Sequence, residues 1–227
     1  MRLAGAAVGS FRIWGQELRE LPPPNHTGRD SALAALLDAM RAQVKARDHR
    51  GLEARMLSNF KVEFDGGKGP NAFRRRWKAD TAASGIWPLL DALLAIGGAF
   101  YSETLFAIPY VYARFPQDLD PLGHVVSIRQ QTNLWEKPEP GARVLATAGY
   151  AILPLAKPLE PPVMIEPAGF VEVNHPTSGI CYAAASDVCS PAGHRMFFEL
   201  RRGRWQWISL AAATLADPAE LRPAKRP

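Results

Sequence analysis

The sequence predicts an α+β protein in two parts: a small helix-rich α+β domain and a five-strand β-barrel, with a C-terminal β-hairpin docking on the first domain. Three observations carry this expectation. Apolar residues recur at helical spacing between residues 31 and 96, strand-sized runs broken by Pro and Gly replace that spacing from 121 to 190, and an aromatic-rich hairpin pattern follows at 195–210. The implied division is a flexible arm over 1–28, a helix-rich domain over 29–120 completed by the hairpin segment 191–214, the barrel over 121–190, and a flexible tail over 215–227. The chain has 227 residues, which leaves room for two units because a segment of about 80 to 100 residues can bury its own core.

The helical part begins at Asp30 or Ser31, either of which can cap a helix whose apolar face is Leu33, Leu36, Leu37, Met40 and Val44. Asp48 can cap a second, shorter helix carrying Leu52, Met56 and Leu57. Phe60-Lys61-Val62-Glu63-Phe64 alternates apolar with polar residues and reads as a strand, ended by Asp65-Gly66-Gly67-Lys68-Gly69. Pro70 suits the first turn of a helix that buries Phe73 and Trp77. A further helix through Trp87, Leu90, Leu93 and Leu94 is stopped by Gly97-Gly98, and an extended pair over 100–105 and 107–112 closes the module near Pro116. Strand-sized runs then follow at 124–128, 143–147, 150–155, 169–173 and 180–183. The closing hairpin pairs 195–200 with 205–210 across Arg201-Arg202-Gly203. Its apolar residues populate both faces, so it needs a hydrophobic surface beyond a five-strand barrel. Ahead of all this, Pro22-Pro23-Pro24 favours an extended spacer.

Hydrophobic residues at 47% and charged residues at 22% belong to a globular chain rather than a disordered one. Twenty-seven basic residues against 22 acidic ones give a formal charge of +5. Much of the excess lies in Arg74, Arg75, Arg76 and Lys78 and in Arg201, Arg202 and Arg204, which a solvated helix face and a charged turn explain. No helix-turn-helix signature, zinc-finger spacing or aromatic-interleaved RNA motif accompanies them, so no nucleic-acid partner is expected. Nor does any apolar run approach the roughly 18 to 20 residues of a membrane span, so no transmembrane segment is expected. Met1-Arg2 and the weakly apolar stretch to Gly9 have the order of a signal peptide without its length.

The second part resembles a bacterial SH3 (SH3b) domain at four places. Asn133-Leu134-Trp135-Glu136-Lys137-Pro138 is similar to the opening Asn-Val-Arg-x-x-Pro strand, with Trp135 in the arginine position. Arg143-Val144-Leu145-Ala146 with Gly149-Tyr150 resembles the strand and turn that follow. Gly169-Phe170-Val171-Glu172-Val173 resembles the Gly-Trp-x-x-Val strand with phenylalanine for tryptophan, and Cys181-Tyr182-Ala183 stands where Gly-Tyr-Val is usual. With the Asp-Gly-Gly-x-Gly segment before the barrel and Gly203-Arg204-Trp205 after it, residues 30 to 214 are similar to uncharacterised bacterial SH3 domain-containing proteins. Ala212-Ala213-Thr214 replace the family's Ala-Gly-Asp after the hairpin. The resemblance implies a non-catalytic binding module, exported or periplasmic with the cytoplasm as the alternative, whose ligand is a peptide, a peptidoglycan fragment or a protein partner. The barrel aromatics available to such a ligand are Trp135, Tyr150, Phe170 and Tyr182, since rings offer large contact area at little entropic cost.

Catalytic, metal and cofactor chemistry finds little support in the residue pattern. Cys189 and His194 are close in sequence, but neither a Gly-x-Ser-x-Gly elbow nor a papain-like context surrounds them. His175, Cys181, Cys189 and His194 lack the tight knuckle of a structural zinc site. A phosphate loop would need Gly-Lys-Ser/Thr before a helix, where Pro70-Asn71 stand instead. No catalytic residue, metal or cofactor is therefore expected. Cys181 is expected in the core, and a disulfide between the two cysteines is left open. The alternative from another class is an NTF2-like pocket in the first domain, which would place an acid/base pair in an internal cavity.

Overall fold

Helix caps and β-pairing partners together decide where each element of this chain begins and ends. The computed structural model describes residues 12–13, 16–25, 29–62, 67–160, 168–175 and 179–211. In chain order the elements are β1 (Arg12–Ile13), β2 (Gln16–Glu17), α1 (Ser31–Ala46), α2 (His49–Glu53), β3 (Met56–Val62), α3 (Pro70–Trp77), α4 (Ile86–Ile96), β4 (Ala99–Phe100), β5 (Leu105–Ile108) and α5 (Tyr110–Arg114). They continue with β6 (His124–Ser127), β7 (Thr132–Trp135), β8 (Val144–Ala148), β9 (Ile152–Pro154), β10 (Phe170–His175), β11 (Gly179–Ala184), β12 (Val188–Cys189), β13 (Arg195–Arg201) and β14 (Arg204–Ala211). The protein is thus of mixed α+β class. The described residues divide into two compact units: one holds Phe115–Leu159 and the segment from 168 to Pro191 together with residues up to Pro23, and the other holds Pro24–Arg114 and the segment from Ala192.

In the helical unit, Asp30 is the N-cap of α1 and its Oδ1 accepts the Leu33 N–H at 2.9 Å. The five apolar residues from Leu33 to Val44 are all buried, and the helix stops where Arg47 turns left-handed. Asp48 caps α2 through the Gly51 N–H, but the helix ends at Glu53 and Met56 and Leu57 lie in β3, not in the helix the periodicity predicts. The reason is a distant partner. Met56 pairs with Trp207 of β14, whose N–H also donates to the Arg55 carbonyl at 2.9 Å, so strand pairing overrides the local pattern. The expected end of that strand, Glu63-Phe64, and most of the Gly-rich turn after it lie outside the described residues. Gly69 precedes α3 with φ +82°, and a Cβ there would sit 2.8 Å from the Ser58 carbonyl oxygen, so glycine alone fits. Residues 107–112 do not form one extended strand as expected. β5 stops at Ile108, Pro109 presets a helical start, and α5 follows with its Tyr110 N–H donating to Gly97.

The unit's sheet has the order β3-β14-β13-β5-β4, parallel between β3 and β14 and antiparallel elsewhere. The β13–β14 hairpin therefore occupies the interior of this sheet. Its core joins α1, α3 and α4 to one sheet face through apolar side chains throughout, from Leu33 to Leu210. At its centre Trp207 is fully buried and meets Phe60 and Phe73 edge to face, with ring centroids 4.8 and 5.5 Å away. Trp205, two residues earlier on the same face, donates its indole N–H to Asp30 Oδ2 at 2.8 Å. One carboxylate thereby caps α1 and ties it to β14.

The second unit contains two sheets, ordered β10-β11-β7-β8 and β12-β6-β9. Among the described residues no sheet closes as a barrel, so the expected five-strand barrel over 121–190 is corrected to seven described strands in two sheets. The sheets meet at a single bridge between Leu155 and Val173 and at the Ala156 N–H to Glu172 carbonyl bond of 3.1 Å. Between them lie Val125, Leu134, Leu153, Leu155, Val171, Val173, Cys181, Ala183 and Val188. The segment expected as a flexible arm is partly incorporated. The Leu21 N–H donates to the Tyr150 carbonyl at 2.6 Å, Glu20 bridges Ala151, the Arg19 carbonyl accepts from Ile152, and Leu21 is buried. An unpaired strand edge at 150–152 and an apolar Leu18 and Leu21 explain the attachment. Among the described residues, no helix is long and apolar enough to cross a membrane.

Two expectations follow. Trp207→Ala should lower the unfolding free energy by about 3–5 kcal/mol, as deletion of a buried aromatic does, and urea titration of the full chain by circular dichroism checks it. The Leu33 N–H chiefly, with the Trp205 indole, holds the Asp30 carboxyl below its ordinary value of 3.8. Its stabilisation is therefore complete above that value and lost as pH falls through the lower folded value. Asp30→Ala should cost about 1 kcal/mol at neutral pH, with variant and native stabilities converging in acid.

Candidate functional site

The four-stranded sheet presents one face to the core and one outward; alternation assigns the residues of β10 and β11 to a side, while a register shift at Leu134/Trp135 interrupts it between β7 and β8. On β10 Val171 and Val173 are buried, which turns Phe170, Glu172 and Asn174 outward; on β11 Cys181 and Ala183 are buried, which turns Ile180, Tyr182 and Ala184 outward. Cross-strand register then lines these residues up. Glu172 pairs with Tyr182, Tyr182 with Trp135, and Trp135 with Val144, so one row crosses all four strands on the outer face. Phe170 pairs with Ala184. The rings of Phe170 and Trp135, two strands apart, meet with centroids 5.6 Å apart and planes at 83°.

The face is apolar and open. Val144 and Ile180 are 43% and 46% exposed, two of the three large hydrophobic residues so exposed among those described, and Trp135, Phe170 and Tyr182 are half-buried. Three of the four aromatic residues singled out from the sequence thus share one surface. Tyr150 does not join them. It sits in the β8–β9 connection with φ +49°, where its N–H donates to the Arg129 carbonyl and its own carbonyl accepts from Leu21, so its backbone organises a turn. Glu172, Ile180 and Val144 were absent from the sequence-based candidates. The alternation Phe170-Val171-Glu172-Val173 carried the signal for Glu172, because it places the carboxylate on the side of Phe170.

Both cysteines are free thiols. Cys181 is fully buried and burial pushes its thiol up to about 11, while Cys189 is pushed up to about 12 and its Sγ lies 3.6 Å from the Ser190 carbonyl. Such groups are nearly all protonated at neutral pH, hence poor nucleophiles. His194 lies in the other unit beside the Trp77 ring, and burial followed by the adjacent Arg195 charge lowers its proton affinity. Among the described residues no three His, Cys, Asp or Glu side chains are grouped to hold a metal ion. In the native protein at pH 8, Ellman's reagent should leave Cys181 unlabelled and react only slowly at Cys189, with two thiols appearing after denaturation in guanidinium; rapid native labelling at Cys181 would count against its placement in the core. No protein-family model, curated protein or solved structure matches this chain.

Proposed function

We propose that this chain is a non-catalytic recognition protein whose SH3b-like unit binds an extended peptide, of free or cell-wall type, along the outer face of its four-stranded sheet. The observation that carries this is the Trp135–Phe170 ring contact flanked by Tyr182 and by exposed Val144 and Ile180. Aromatic rings held on a rigid sheet lose little entropy on binding, and an open apolar face of this kind is costly in water unless something covers it. The SH3-like character of the unit is supported by its short strands, its two small sheets and their junction at Leu155–Val173. An export route and an extracytoplasmic site of action belong to the same reading, on the family resemblance. The alternative, a small-molecule or catalytic pocket in the helical unit, is disfavoured by the large apolar cluster that α1, α3 and α4 bury against the sheet.

Purified full-length protein should bind muropeptides or members of a capped peptide library, measured by isothermal titration. Trp135→Ala should weaken that binding at least about tenfold while leaving the melting temperature nearly unchanged, because Trp135 is half-exposed and its loss opens no core cavity. Undiminished affinity in Trp135→Ala would refute the site, and no binding to either ligand class would refute the function.

A further inference from the structure

We propose that this sheet face selects its peptide by a basic side chain, Lys or Arg, with the cation on Glu172 and the methylene stem lying along Tyr182 and Phe170. The inference rests on the reading of the face as a peptide site and adds what the peptide must carry. Glu172 is exposed, stands directly across from Tyr182 and is two residues from Phe170 on its own strand. Cross-strand Cβ atoms are about 5 Å apart, so the carboxylate borders two rings. Long basic side chains cover apolar surface with their stems while the charged head seeks a polar partner, and a cation beside a ring face gains a further attraction.

The charge on this face is complementary to such a side chain and to no acidic one. β7, β8, β10 and β11 together carry neither Lys nor Arg, and Glu172 is their only carboxylate. At the ends of the sheet the charges are already matched, Glu136 with Arg143 at 2.9 Å and Asp187 with Arg129 at 3.5 Å. Glu172 makes no ion pair among the described residues, and neither does Lys157 just beyond the Leu155–Val173 bridge. In a chain of net charge +5, an apolar face whose one charge is an unmatched carboxylate is therefore a local inversion of sign. A cationic peptide side chain supplies the missing partner without burying either charge fully, which avoids the desolvation that makes buried pairs unprofitable.

The test uses 15N-labelled full-length protein and capped pentapeptides Ac-Gly-Leu-Xaa-Leu-Gly-NH2 with Xaa as Lys, norleucine or Glu, followed by amide chemical shifts at low salt. The Lys peptide should shift Trp135, Phe170, Glu172 and Tyr182 and bind about fivefold more tightly than the norleucine peptide, with the Glu peptide weakest. In Glu172→Gln the Lys peptide should bind no more tightly than the norleucine peptide, and 0.5 M NaCl should shrink the preference in the native protein. Equal Lys and norleucine affinities, or a preference that survives Glu172→Gln, would overturn the cation selection and leave the peptide site standing. If none of the three peptides shifts these four residues, both readings fall.

Discussion

The parallel pairing of β14 with β3 is the constraint on which the helical unit depends. It brings Trp207 against Phe60 and Phe73, and it sets β13 and β14 between β3, which lies between α2 and α3, and β5, which follows α4. α1 and α4 pack on each other, and the sheet covers the rest of their shared apolar cluster. Asp30 reinforces the arrangement by serving two elements with one carboxylate. Helix capping and sheet assembly are thereby coupled, which makes a local element sensitive to a distant one.

In the other unit the same alternation rule produces a division of labour. Small and medium residues such as Cys181, Ala183, Val171 and Val173 line the interior between the two sheets. Trp135, Phe170 and Tyr182 stand on the opposite, outward side of the same strands. Crowded interior and aromatic exterior are two consequences of one geometry.

Elements governed by local periodicity were legible in the sequence: the buried stripe of α1, the Trp87–Leu94 stripe of α4 and the strand-sized runs of β10 and β11 all read directly. Those governed by remote partners were not. Met56 and Leu57 fit a helix as well as a strand until β14 is placed beside them, and Glu20 and Leu21 look like a spacer until the edge at Tyr150–Ile152 is known. Proline had two meanings that only context separates, a break in one place and the start of α5 in another. Trp135, Phe170 and Tyr182 were legible as site candidates because they are aromatic, but their common face depended on register, and Tyr150 was indistinguishable from them by residue type.

The sequence distance spanned by the central sheet has a bearing on how the chain is made. β3 ends at Val62, whereas its partner β14 does not begin until Arg204, and the intervening segment includes every strand from β6 to β12. During synthesis, α1 to α4 therefore emerge and wait with an uncovered apolar side while the ribosome completes another unit, whose strand pairings from β6 to β12 are internal to residues 124–189. The earliest part of the helical unit is the last to find its sheet. For that interval the nascent helices are the segment of this protein with most need of chaperone cover.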